Sequence, residues 1–131
     1  MSHFTTIRTL IRNQLTLEDT LKDLHYAYRA GESLPIRGYQ GGRETGQVVI
    51  DTGSAYDIGF QRQTDETFAV CADWWGVQKD TSIREVDFLR SLNQSYTLKN
   101  VRQQVLRDGH LIELERVLEN GEIELVVCER I

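Results

Sequence analysis

The sequence predicts an α+β protein, a mainly antiparallel sheet of about six strands with two or three helices packed on it, in a single globular domain over residues 1–131. Three observations carry this. Between Arg37 and Trp75 a glycine-rich loop is followed by short β-type runs with turn chemistry between them. Segments with apolar residues at helical spacing stand on either side of that stretch. Near the end, Asn120-Gly121 lies between two alternating runs, the strongest two-residue hairpin signal.

The elements follow in order. His3 to Ile11 (HFTTIRTLI) is rich in β-branched and aromatic residues and predicts a strand. Thr16, with Asp19 three residues on, reads as a capping box before a short helix carrying Leu17, Leu21 and Leu24. Tyr26 to Tyr28 reads as an edge strand, Arg29 to Ser33 as a turn, and Leu34-Pro35-Ile36 as extended, because the residue before proline is pushed out of the helical region. Gln47–Asp51, Tyr56–Gln63 and Thr67–Asp73 are strands. The two-residue period sets Tyr56, Ile58 and Phe60 on one face, and Phe68, Val70 and Ala72 on one face, so a hairpin joins them. The same alternation puts Cys71 on the face away from Phe68. Trp74 to Val77 reads as a loop.

Ser82 with Glu85 forms a second capping box, opening a helix with Ile83, Val86, Leu89 and Leu92. Helix propensity falls around Asn93 to Thr97, and the apolar stripe restarts at Leu98, Val101 and Val105, which predicts two helices or one with a break. Gly109 suits the left-handed position after a helix. With Asn120-Gly121 as a two-residue turn, Leu118 faces Ile123, Arg116 faces Leu125 and Leu114 faces Val127. The predicted core face is then Leu114, Ile123, Leu125 and Val127.

Bulk properties exclude several classes. Twenty acids against fifteen bases give a net charge of −5, so no nucleic-acid binding is expected, since neutralising phosphates needs a basic face. A chain of this length can bury roughly two-thirds of its unfolded surface and needs no metal or disulfide staple. Two cysteines, Cys71 and Cys128, are too few for a secreted disulfide framework and read as reduced thiols. No run approaches the ~18 apolar residues of a membrane span, and the first residues lack the apolar core of a secretory signal. The expected location is the cytoplasm.

Several segments together carry a resemblance: Met1 to Ile7 (MSHFTTI), Asp23-Leu24, Arg37-Gly38-Tyr39 followed by Gly41, Tyr56-Asp57-Ile58-Gly59-Phe60, and Gly121 to Val127 (GEIELVV). In this order they resemble a family of small proteins of cyanobacteria and algal plastids, the product of hypothetical chloroplast reading frame thirty-five. The resemblance covers most of the chain, and its specificity lies in the ordered set rather than in any single motif. It implies a soluble accessory protein with no known activity, in the cytoplasm or, if plastid-encoded, the stroma. One departure is visible: where the family pattern has Gly after Asp-Leu, this chain has His25. If the helix ends there on a left-handed residue, His25 must adopt that conformation at some cost.

The candidate functional residues are few. No Ser-His-Asp or Cys-His arrangement is legible, so no catalytic residue is assigned and the chain leans away from an enzyme. His3 stands at the spacing of an N-terminal copper chelate only if Met1 is retained, and no CxxC, HxH or HExxH occurs. No metal and no cofactor are expected. The glycine loop Arg37–Gly46 is the ligand candidate, with Arg37, Tyr39 and Arg43 around four glycines that let a backbone approach an anion or small molecule. It matches neither a P-loop nor a dinucleotide fingerprint. Trp74 and Trp75 are the partner candidates: adjacent side chains diverge, so one ring joins the core while the other lies near the surface, where an exposed tryptophan serves as an interface anchor. The expected partner is another protein or a second copy of the chain.

Overall fold

The computed structural model describes residues 3–41 and 44–129. Its order is β1 (Thr5–Arg8), α1 (Gln14–Asp23), β2 (Ala27–Ile36), a single 3-10 turn (Tyr39–Gly41), β3 (Glu44–Asp51), β4 (Asp57–Arg62), β5 (Phe68–Ala72), α2 (Trp74–Asp80), α3 (Glu85–Arg107), β6 (His110–Val117) and β7 (Ile123–Glu129). Five strands form an antiparallel sheet in the order β1-β5-β4-β3-β2, and β6 and β7 form a separate two-stranded sheet. The fold is α+β, with the strands divided between two sheets instead of one.

The alternation read from the sequence builds the core. Val48 pairs with Phe60, Ile50 with Ile58, and Phe60 with Val70 across β3, β4 and β5. These side chains are fully buried against Leu17 and Leu21 of α1, Trp74 and Val77 of α2, and Phe88, Leu92 and Tyr96 of α3. Burial of each large apolar side chain favours folding by roughly 1.5–3 kcal/mol. The opposite sheet face is closed by a smaller cluster of Ile36, Val49 and Cys71, with Phe4 and Leu34 packed on it. Gly59 makes this possible: a Cβ there would stand 2.1 Å from Ile36 Cδ1.

Several predicted boundaries are corrected. Helix α1 begins at Gln14, because Asn13 rather than Thr16 is the cap and accepts the Thr16 N–H at 3.0 Å. The Arg29–Ser33 segment does not turn the chain. It is a register shift between Ala30 and Leu34 inside one long edge strand, where a bulge absorbs the polar residues that suggested a turn. Trp74 to Val77 is helical, opened by the Asp73 carboxylate, which accepts the Gly76 N–H at 3.3 Å. Helix α3 starts at Glu85, and the residue at its cap position is Arg84, which makes no side-chain cap bond, so Ser82 is not the cap. Gln78 Oε1, from α2, takes the Glu85 N–H at 2.9 Å instead. One unbroken helix then runs through Asn93–Thr97, since burial of Leu92 and Tyr96 outweighs the local propensity deficit.

The terminal hairpin turns on three residues rather than two. Leu118 donates its N–H to the Glu122 carbonyl at 2.7 Å, Gly121 donates to the Leu118 carbonyl at 2.9 Å, and Gly121 sits at φ 88°. This type I turn with a left-handed third residue shifts the register by one, so Val117 faces Ile123 and Glu115 faces Leu125. Val127, predicted in the core, is 40% exposed.

Candidate functional site

The glycine loop connects β2 to β3 and borders a solvent-open cavity of about 590 Å³, lined by Pro35, Ile36, Arg37, Gly38, Glu44 and Ala55 among others. Its fixed point is an ion pair. Asp57, at the start of β4, has a fully buried side chain. It accepts the Arg37 backbone N–H at 2.8 Å, Arg37 Nη2 at 2.8 Å and Arg37 Nε at 3.0 Å. In return the Asp57 N–H donates to the Arg37 carbonyl at 3.0 Å. Arg37 Nη2 also reaches Asp51 at 3.3 Å. The Asp57 carboxylate raises the Arg37 guanidinium pKa further, so the group is permanently charged and its charge is matched by the protein's own acids.

Arg37 therefore anchors the loop to β4, which joins two of the segments that carry the family resemblance. Tyr39 is 46% exposed in the 3-10 turn and is not among the residues bordering the cavity. Arg43 lies outside the described residues. Of the three loop candidates, the structure brings Arg37 to the cavity. Asp57 was missed by sequence reasoning, and its signal was present: it is the one acid inside the apolar run Asp57–Phe60, which asks for a buried partner.

The two tryptophans separate, but by helical geometry and not by strand alternation: both lie on α2, where successive side chains point roughly 100° apart. Trp74 is buried, with its ring 5.6 Å from Phe88, which in turn meets Tyr26 edge-on at 5.4 Å. Trp75 is 51% exposed on the outer side of α2, and Lys79, one turn later, places Nζ 4.8 Å from its ring centroid. Cation and ring stabilise each other there by roughly 0.5–1 kcal/mol, and the ring is held in one orientation. Behind α2, Gly76 lies under the Tyr56 ring so closely that a Cβ would come within 2.1 Å of it. The helix that carries Trp75 is thus pinned by a cap, a buried neighbour and a glycine contact.

Other chemistry-bearing groups are occupied or enclosed. Cys71 is buried, and desolvation pushes its thiol pKa up to about 11, which leaves almost no thiolate at neutral pH. Among the described residues no cluster of three or more His, Cys, Asp or Glu is placed to hold a metal ion, and no helix is long and apolar enough to cross a membrane. His3 is exposed.

Comparison with known proteins bears on this arrangement. Residues 20–126 match the family described as "Protein of unknown function (DUF1257)". The chain is 29% identical over 127 residues to "Uncharacterized protein ycf35" of Guillardia theta, covering 97% of this chain and 96% of the relative. It is 27% identical over the same span to the protein of that name from Cyanophora paradoxa, with the same coverage. No solved structure matches the chain.

Proposed function

We propose, from the premise that the chain belongs to the DUF1257 family of proteins of unknown function, that it is a non-enzymatic accessory protein that binds another protein through Trp75. Its similarity is of plastid and cyanobacterial type, which suits an accessory role in the cytoplasm or the stroma. The observation that carries the reading is the unequal fate of two adjacent tryptophans. Trp74 is spent on the core, while Trp75 is half exposed on a helix whose position is over-determined. A large rigid ring on a fixed support loses little entropy on binding, which is why tryptophan dominates interface anchors. Lys79 beside the ring favours a partner that presents an apolar side chain flanked by a carboxylate.

The competing reading, an anion or small-molecule site in the glycine loop, is weakened by charge. Arg37 already faces Asp57 and Asp51, and Glu44 borders the same cavity. An anion entering there meets a cation that is already neutralised.

The test uses the full chain as bait in host lysate, with Trp75→Ala and Val86→Ala as paired variants, followed by titration of the purified partner. Trp75→Ala is expected to keep the wild-type unfolding midpoint and weaken binding about tenfold or more, the equivalent of ~1.4 kcal/mol. Val86→Ala, also at an exposed apolar side chain, is expected to leave binding unchanged. Equal retention of the partner by wild type and Trp75→Ala sinks the proposal.

A further inference from the structure

We infer that β7 is a self-association edge, through which two copies of the chain join their terminal hairpins into one four-stranded antiparallel sheet. Among the described residues four strands have a free edge: β1, β2, β6 and β7. Free edges invite pairing, and proteins blunt them with shortness, bulges, proline or charge. Strand β1 is four residues long. Strand β2 carries a register shift, Pro35, and the charged Arg29 and Glu32. Strand β6 has Glu113, Glu115 and Arg116 within its eight residues. Strand β7 carries its charges, Glu124 and Glu129, toward its ends and leaves the central Leu125-Val126-Val127-Cys128 without charge or proline.

The arm that carries this edge is poorly covered by the rest of the chain. Val117 of β6 is 55% exposed, and no residue of 98–110 or 115–127 is fully buried. Glu115 lies against Arg102 of α3, at 2.8 Å from Nε, so the hairpin face holding Glu115 and its partner Leu125 is the one turned to the helix. Val126, on the alternate face, is 39% exposed, and Val127 is 40% exposed. An isolated two-stranded ribbon is marginal in water, and two further strands supply the missing cover.

Charge selects a second copy as the occupant and sets the register. Pairing β7 with itself about Val126 puts Val126 opposite its counterpart, Leu125 opposite Val127, Glu124 opposite Cys128 and Ile123 opposite Glu129. No like charges meet, and the apolar residues meet one another. In β6 the corresponding central registers fail. Centring on Glu113, Glu115 or Arg116 sets a charge against itself, centring on Leu114 sets Glu113 against Glu115, and centring on Ile112 joins only residues 110–114 and sets Leu111 against the Glu113 carboxylate. A β7–β7 pair is also closed by its two-fold axis, so assembly stops at two.

The test is sedimentation equilibrium of the full chain from micromolar to submillimolar concentration, with Val126→Lys and with Val126→Cys in a Cys128→Ser background. A concentration-dependent dimer is expected. Val126→Lys, which opposes two ammonium groups on the axis, is expected to weaken it by at least about tenfold while leaving unchanged the unfolding midpoint read at a concentration low enough to keep both proteins monomeric. The cysteine variant is expected to form a 126–126 disulfide between copies on mild oxidation. A wild type that stays monomeric overturns the inference. So does a dimer indifferent to Val126→Lys, a dimer in which the 126–126 disulfide fails to form, or a ladder of larger polymers.

Discussion

His25 ends α1 at φ 64°, a conformation that costs an L-residue with a full side chain roughly 1 kcal/mol or more. The cap around it is complete: Tyr26 donates to the Leu21 carbonyl at 2.9 Å and His25 to the Lys22 carbonyl at 3.0 Å, the paired bonds of a Schellman motif. The strain is therefore in the side chain's presence and not in missing bonds. His25→Gly is expected to stabilise the protein by about 0.5–1 kcal/mol, the relief of strain less the extra freedom glycine gives the unfolded chain. A urea midpoint unchanged or lowered in that variant contradicts it. Arg37 makes the opposite prediction. Removing it leaves the buried Asp57 carboxylate without its ion partner, so Arg37→Ala is expected to cost about 2–3 kcal/mol, at or below the lower end for breaking a buried pair because the guanidinium is half exposed. Chemical denaturation measures this, and a loss under about 0.5 kcal/mol returns Arg37 to the role of a surface ligand group. The departure at His25 was legible from its place after Asp23-Leu24. The Arg37–Asp57 bond was not, because its ends are twenty positions apart with the glycine loop and all of β3 between them, and only the sheet brings them together.

The terminal hairpin is held to α3 by two polar clasps, the Arg102–Glu115 pair and a bond from Gln94 Nε2 to the Gly121 carbonyl at 2.7 Å. Arg102 holds the Glu115 carboxyl below its ordinary pKa, and Lys99 does the same for Asp23 on α1. A carboxylate depressed in the folded state contributes stability that is fully present above its unfolded pKa, about 4, and is lost as pH falls through the lower folded value. Acid is therefore expected to loosen the hairpin from α3 below pH ~4, with no change between neutrality and pH ~5. Glu115→Gln is expected to remove most of that pH dependence. The measurement is amide exchange of β6 and β7 against pH, and a wild-type profile matching the glutamine variant counts against the clasp.

At the scale of the whole molecule, the two buried clusters among the described residues lie between Ile11 and Tyr96, where the helices cover one face of the five-stranded sheet and the Ile36 cluster closes the other. Local stability follows buried contacts. Amides of β3, β4 and β5 are expected to exchange only with global unfolding, and those of β6 and β7 by smaller openings, at a protein concentration low enough to keep the chain monomeric. Equal protection in both sheets at that concentration shows that the arm is not a separate unit.

The sequence by itself determined what depends on neighbours along the chain. Alternation in Tyr56–Gln63 and Thr67–Asp73 specified two strands and the sets of side chains that share a face, because side chains along a strand have a strict period of two, and Gln47–Asp51 was legible as a third by its β-type residues. The divergence of Trp74 and Trp75 followed from their adjacency, and the hairpin near Asn120-Gly121 from its turn residues. Tertiary structure decided the rest. Whether Asn93–Thr97 breaks a helix depended on whether Leu92 and Tyr96 find a core to enter. Which residue caps α3 depended on Gln78 arriving from another helix. The hairpin register depended on a three-residue turn that differs from a two-residue one by a single pairing step, and such a step exchanges the faces of one strand against the other. Pattern along a chain records which side of an element wants cover, whereas the identity of the cover is set by segments distant in sequence, whose contacts outweigh local preferences by several kcal/mol per buried cluster.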